Sequence, residues 1–146
     1  MLKTIGLFSE IVQSNKILCS LQEKRGKLSQ FDSEKIADYL SQGIHIAVVM
    51  GAEQDVFDRK NLILGASSIL SDGNWIWRGD LFHYVRFYNI QIEEEFMNSI
   101  RLADYKYPFS DESILMNWEQ IYKSYVEQSG EISRSNQEKL KPEKPD

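Results

Sequence analysis

The chain has 146 residues, 17 Lys and Arg against 22 Asp and Glu, and a formal net charge of −5. This length points to one domain whose core needs no metal or disulfide, and 42% hydrophobic residues exclude collagen-like and wholly disordered classes. A single cysteine, Cys19, excludes an intramolecular disulfide framework and a four-ligand Cys-based zinc site.

Charge is uneven along the chain. Residues 1–29 carry five basic and two acidic side chains, residues 30–130 carry eight and sixteen, and residues 131–146 carry four of each. The acidic middle argues against a nucleic-acid binder, which needs positive surface to displace phosphate counterions. It suits either a plain solvated surface or a basic protein partner. No apolar run approaches the roughly 18 residues of a membrane span. The start, Met1 to Phe8, is followed at once by Glu10 without a small-residue cleavage site, so no signal peptide is read and the expected location is the cytoplasm.

Residues 1–29 admit two readings. Ile5, Phe8, Ile11 and Val12 fit one helical face, and a short strand followed by a helix fits as well. Phe31 to Gly43 reads as a helix, with Asp32 as N-cap, a staple between Phe31 and Ile36, a buried stripe of Ile36, Tyr39 and Leu40, and Gly43 as a left-handed stop. Ile44 to Met50 is apolar on both faces and β-branched, the pattern of a central strand. Leu62 to Leu70 is a second strand, softened by Gly65. Ser71-Asp72-Gly73-Asn74 is a hairpin turn, and Asn74 to Arg78 a third strand with Trp75 and Trp77 on one face and Ile76 on the other.

Asp80 then caps a helix to about Tyr88 with Leu81, Tyr84, Val85 and Tyr88 as its stripe, and Asn89 ends it. Glu93 to Asp104 is another helix with Phe96 and Ile100 inward. Ser110 or Asp111 starts a last helix to about Gln128, whose apolar face is Ile114, Leu115, Trp118, Ile121, Tyr122, Tyr125 and Val126, and Gly130 ends it. Residues 131–146 have too few aliphatics to offset their ordering entropy and read as a flexible polar tail. The expectation is one α+β domain over residues 1–130, with a small antiparallel sheet of about three strands and about five helices.

Chemistry-bearing patterns are sparse. His45 and His83 are far apart and give no metal-ligand spacing; both read as hydrogen-bonded structural histidines. Nothing near Cys19 except Lys24 and Arg25 would activate it. Glu53, Asp55 and Asp58 lack the regular alternate ligands and glycine of a calcium loop and read as a solvated loop. Glu93-Glu94-Glu95 suits the positive end of a helix dipole. No phosphate-binding glycine loop or nucleophile elbow occurs. The reading is therefore a non-enzymatic protein without cofactor or metal. The densest segment, Ser71 to Tyr88, holds more rings than one core can use: Phe82, Phe87 and one strand face are surplus, beside Arg78 and Arg86, which is the composition of an interface centre.

That segment carries a resemblance. Tyr39, Leu40 and Gly43; Asp55, Val56 and Asp58; Gly65 to Ser68; and Ser68, Leu70, Asp72, Gly73, Trp75, Trp77, Asp80, Leu81, Tyr84, Val85 and Tyr88, then Phe96, resemble a shared pattern of small bacterial proteins over about residues 37 to 108. Some of these look like immunity proteins of polymorphic toxin or contact-dependent growth inhibition systems. The resemblance implies a small non-enzymatic protein that binds and blocks a toxin, and brings no catalytic motif. The expected partner is a basic cognate toxin domain, a nuclease by expectation, met by Glu53, Asp55, Asp58, Glu93, Glu94 and Glu95 with Trp77, Phe82 and Phe87 as anchors. A second reading is a regulatory or adaptor domain that takes a peptide or small molecule in a pocket lined by Trp75, Trp77 and Tyr84. A third is an enzyme that sets His45 or His83 against an aspartate in a cleft. A homodimer built on the surplus aromatics is compatible with the first.

Overall fold

The computed structural model describes residues 2–132. The elements are β1 (Lys3–Thr4), α1 (Leu21–Lys24), α2 (Gln30–Ser41), β2 (Ile44–Ala47), β3 (Ala52–Gln54), β4 (Leu62–Leu64), β5 (Ile69–Ser71), β6 (Trp75–Arg78), α3 (Leu81–Tyr88), α4 (Glu94–Leu102), α5 (Asp111–Met116) and α6 (Trp118–Ser129). The class is α+β. The sheet is larger than expected and mixed: β1, β6, β5 and β2 lie in that order, with β1 parallel to β6, and β3 and β4 form a separate hairpin.

The alternation of β6 divides the interior. Trp75 and Trp77 point into a large core with residues of α2, α3 and α4, and Ile76 points the other way against Ile114, Ile121 and Tyr125 of α5 and α6. Helices thus cover both faces of the sheet, as the period-2 pattern of β6 requires. Trp77 is 1% exposed and donates its indole N–H to the Leu40 carbonyl, which ties the sheet to the end of α2.

Several expectations change. Residues 1–29 take the strand-then-helix form, and Ile5, Phe8 and Val12 are buried from a loop. The Glu10 carboxylate accepts from the Leu21 and Gln22 amides and so caps α1 from a distance. Ser29, not Asp32, caps α2 by accepting from the Asp32 amide, and Phe31 is exposed, so no staple forms. Leu62 to Leu70 is two strands, because Gly65 at φ +66° turns the chain between β4 and β5. The expected single C-terminal helix breaks at Asn117, which leaves Ser110 as the cap of α5. Glu131 and Ile132 are held to the body, Ile132 N–H donating to the Gln13 carbonyl. The rest of the expected tail, residues 133–146, lies outside the described residues.

The run from Ile44 is the largest departure. It is not central: β2 is the outer strand of the sheet, and His45 is exposed rather than buried and bonded. Gly43, just before it, has no left-handed φ. Its role is close approach, since a Cβ there would lie 2.6 Å from the Trp77 ring and 3.0 Å from the Leu70 Cβ. Gly43→Ala is expected to lower stability by about 1–3 kcal/mol through overpacking. An unchanged denaturation midpoint would show that the Trp77 ring yields freely.

Candidate functional site

The structure disperses the residues singled out from sequence. Trp77 is core and offers no anchor. Trp75, Trp77 and Tyr84 are buried, the two tryptophans against Phe96 and Tyr84 edge-on to Phe57, so their rings are taken up by core packing. Phe82 is half-buried, and Phe87 alone of the three expected anchors is exposed. Of the acids, Glu93 accepts from the Gly6 amide at 3.1 Å and Glu95 from Lys3 Nζ at 3.0 Å, so two of the three glutamates fasten the N-terminal segment to α4. Glu94 remains at the exposed start of that helix. Asp58 is exposed and closes its own turn on the Lys60 amide and Asn61.

Asp55 is fully buried and cannot face a partner. Its Oδ1 accepts from the Phe57 and Asp58 amides, and its Oδ2 lies 2.7 Å from both His83 Nε2 and the Tyr88 hydroxyl. Burial alone would push the Asp55 carboxyl up; the His83, Tyr88, Phe57 and Asp58 hydrogen bonds more than offset it and hold it below the ordinary carboxylate range. His83 therefore meets an aspartate as the third reading required. That aspartate is saturated by loop and α3 donors, and Phe87 stacks beside His83 at 5.0 Å between centroids. The arrangement clamps the loop of residues 55–61 onto α3. Because the folded-state pKa is depressed, this clamp contributes fully above the unfolded carboxylate value near about pH 4 and is lost as pH falls through the lower folded value. Acid titration is expected to release loop 55–61 first below about pH 4, read as faster amide exchange there, and Asp55→Asn removes that step.

Arg78, expected beside an interface centre, lies in the interior. Arg78 is 2% exposed. Its Nε and Nη2 donate to both oxygens of buried Asp80 at 3.2 Å, and Glu53 and Glu131 stand 3.6 Å away. Tyr125 donates to Glu131 at 2.6 Å. Asp80 thus turns to Arg78 and makes no side-chain cap on α3. Burial alone would lower the Arg78 guanidinium, but the Asp80 carboxylate beside it raises it and keeps it charged. One guanidinium joins β6, the β3–β4 hairpin, the start of α3 and the segment after α6. Its only sequence signal was an arginine on the face of β6 opposite the tryptophans.

Among the described residues, two of the open apolar surfaces bear on binding. The first is a groove of about 370 Å³ along β2, lined mainly by His45, Val48, Val49, Met50, Leu64 and Phe82. The second runs along α5 and α6. Those helices bury Ile114, Ile121 and Tyr125 and leave Leu115, Trp118, Tyr122 and Val126 well exposed, Trp118 at 49%. Trp118, Tyr122 and Val126 are four residues apart and form one stripe. Across residues 111–129 four side chains are acidic (Asp111, Glu112, Glu119, Glu127) and one, Lys123, is basic, a net of −3. Glu119 follows Trp118 on the solvent side of the helix.

Compared with known proteins, the chain matches no family model, no curated protein and no solved structure. Among the described residues no helix is long and apolar enough to cross a membrane.

Proposed function

We propose that this chain is a non-enzymatic binding protein that neutralises a basic toxin domain by covering it, and that the α5–α6 face is the surface that does so. The observation that carries this reading is the exposed stripe of Leu115, Trp118, Tyr122 and Val126 on two helices of net charge −3. Tryptophan and tyrosine dominate the energy of binding surfaces, and contiguous exposed apolar side chains rimmed by polar residues are the composition of a contact. The acids around it would steer a positively charged mate and reject an acidic one. The resemblance of residues 37–108 to bacterial immunity proteins supplies the toxin, and a nuclease toxin, with its basic substrate cleft, is the chemistry an acidic cover fits best. The surface moves to this face because Asp55 and Trp77 are buried, and because Glu93 and Glu95, though exposed, already accept from the Gly6 amide and Lys3.

The test is affinity capture on the full chain at low and high salt, with the captured protein assayed for toxicity. A basic domain held at low salt, weakened by salt and inactive while bound, is the expected result. Capture of no such domain, or a partner whose activity continues in the complex, contradicts the reading. The adaptor reading now rests on the β2 groove instead of an aromatic pocket, and a thermal-shift screen of small molecules addresses it separately.

A further inference from the structure

We infer that β2 is completed by β2 of a second copy of this chain, giving a two-fold dimer with one continuous sheet. The inference starts from a mismatch between composition and place. Ile44 to Met50 has the apolar, β-branched make-up of a strand paired on both sides, yet β2 has a neighbour, β5, on one side only. Among the described residues, no backbone or side-chain hydrogen bond reaches the amides and carbonyls of residues 44–48 beyond the β5 ladder. Proteins ordinarily blunt such an edge with charge, proline, a bulge, a short strand or a cover. β2 is four residues long with a register shift between His45 and Ala47, which shortens its ladder with β5, but no Asp, Glu, Lys, Arg or Pro lies from Ile44 to Met50 and the apolar run continues past the strand. Val48 and Met50, which continue the edge, are 64% and 89% exposed.

The other edge of the same sheet shows what protection looks like. Gln128 of α6 donates its amide to the Leu2 carbonyl at 2.8 Å and accepts from the Thr4 amide at 2.6 Å. Its side chain stands in for a further strand beside β1. The four-stranded sheet is therefore closed on one side and open on the other. Pairing through the open side ends at two copies, because a two-fold contact consumes both free edges and leaves only capped ones.

Charge selects the occupant. The chain carries −5, yet no carboxylate lines the β2 groove or lies between Ile44 and Met50. A basic partner would find nothing to read there. A second acidic copy can approach only through an uncharged strip, and this one is self-complementary: apolar edge meets apolar edge, and side chains beyond the edge reach the groove beside Val48, Leu64 and Phe82.

The experiment is sedimentation equilibrium of the full chain over a concentration series, with hydrogen exchange on the same samples. The expected result is a monomer–dimer equilibrium in which exchange of amides 44–48 slows as the dimer forms. Added salt strengthens the dimer by screening two like-charged bodies, the reverse of its effect on a basic partner. Val48→Lys weakens self-association about tenfold or more, since the symmetry places the charge twice, with near-UV circular dichroism unchanged. Met50→Lys, at the more exposed position, serves if Val48→Lys fails to fold. A chain that stays monomeric at every concentration overturns the proposal. So does a dimer that leaves amides 44–48 fast or that both lysine variants leave intact. Protection of those amides only on addition of another protein assigns the edge to a partner strand and overturns it likewise. The α5–α6 reading is independent, because Val48→Lys is expected to retain capture of the basic domain.

Discussion

Arg78→Leu is expected to remove about 3–5 kcal/mol of folding stability, the cost of leaving a buried charge without its partner. That is a large share of the roughly 5–15 kcal/mol that holds a domain together. The reason is local. Asp80 is buried and takes both its ion-pair contacts from Arg78, so the substitution strands a carboxylate in the core. It also frees Glu53 on the hairpin and Glu131 after α6. Denaturant unfolding followed by tryptophan fluorescence reads the loss. The double variant Arg78→Leu/Asp80→Asn should recover a good part of it, because removing both charges is far cheaper than removing one. If Arg78→Leu costs less than about 1 kcal/mol, the pair is behaving as a solvated surface ion pair, and the interior placement of Arg78 is wrong.

The elements whose logic is local were legible in the chain. The alternation Trp75-Ile76-Trp77 assigned the two faces of β6 correctly, because period 2 is a property of the strand itself. Asn89 and Gly130 both take the left-handed conformation expected of helix ends, and Ile36, Tyr39 and Leu40 are buried as their spacing predicts. What failed depended on partners distant in sequence. Nothing near Asp80 says that its carboxylate will turn from α3 to Arg78. Nothing near Asp55 says that His83 and Tyr88, some thirty residues on, will bury it. At Gly43 the Trp77 ring, distant in sequence, rather than a left-handed backbone is what excludes a side chain. The composition of the strand at Ile44 is that of a central strand, yet it lies at the sheet edge, because composition reports apolar character and not place in the strand order. The parallel pairing of β1 with β6 was likewise out of reach, since two residues carry it.

The face proposed for binding follows the same rule. The apolar face of α5 and α6 was counted whole from sequence, and only the packing shows that Ile114, Ile121 and Tyr125 fill the core while Leu115, Trp118, Tyr122 and Val126 are left over. Trp118→Ala with Tyr122→Ala is expected to weaken the toxin-domain complex by about 2–4 kcal/mol, roughly 30- to 1,000-fold in Kd. Folding stability should move by less than about 1 kcal/mol, because neither ring is enclosed. Trp77→Ala gives the opposite pattern, a loss of about 3–5 kcal/mol in stability from a cavity under the sheet. Calorimetry against the captured domain, beside denaturant unfolding of each variant, separates the two. Equal affinity for the double variant and the native chain places the contact elsewhere, with Phe87 and Glu94 the next surface to test.

The acid-bordered α5–α6 stripe is proposed to cover a basic toxin domain. The most direct test is titration of the captured toxin's activity with the native chain and with Asp111→Lys/Glu112→Lys/Glu119→Lys, beside Glu94→Lys/Glu95→Lys as a comparison surface. The expected result is full inhibition by the native chain and by the α4 variant, and little or none by the α5–α6 variant at low salt. Inhibition that survives reversal on α5 and α6 and is lost on α4 would contradict it.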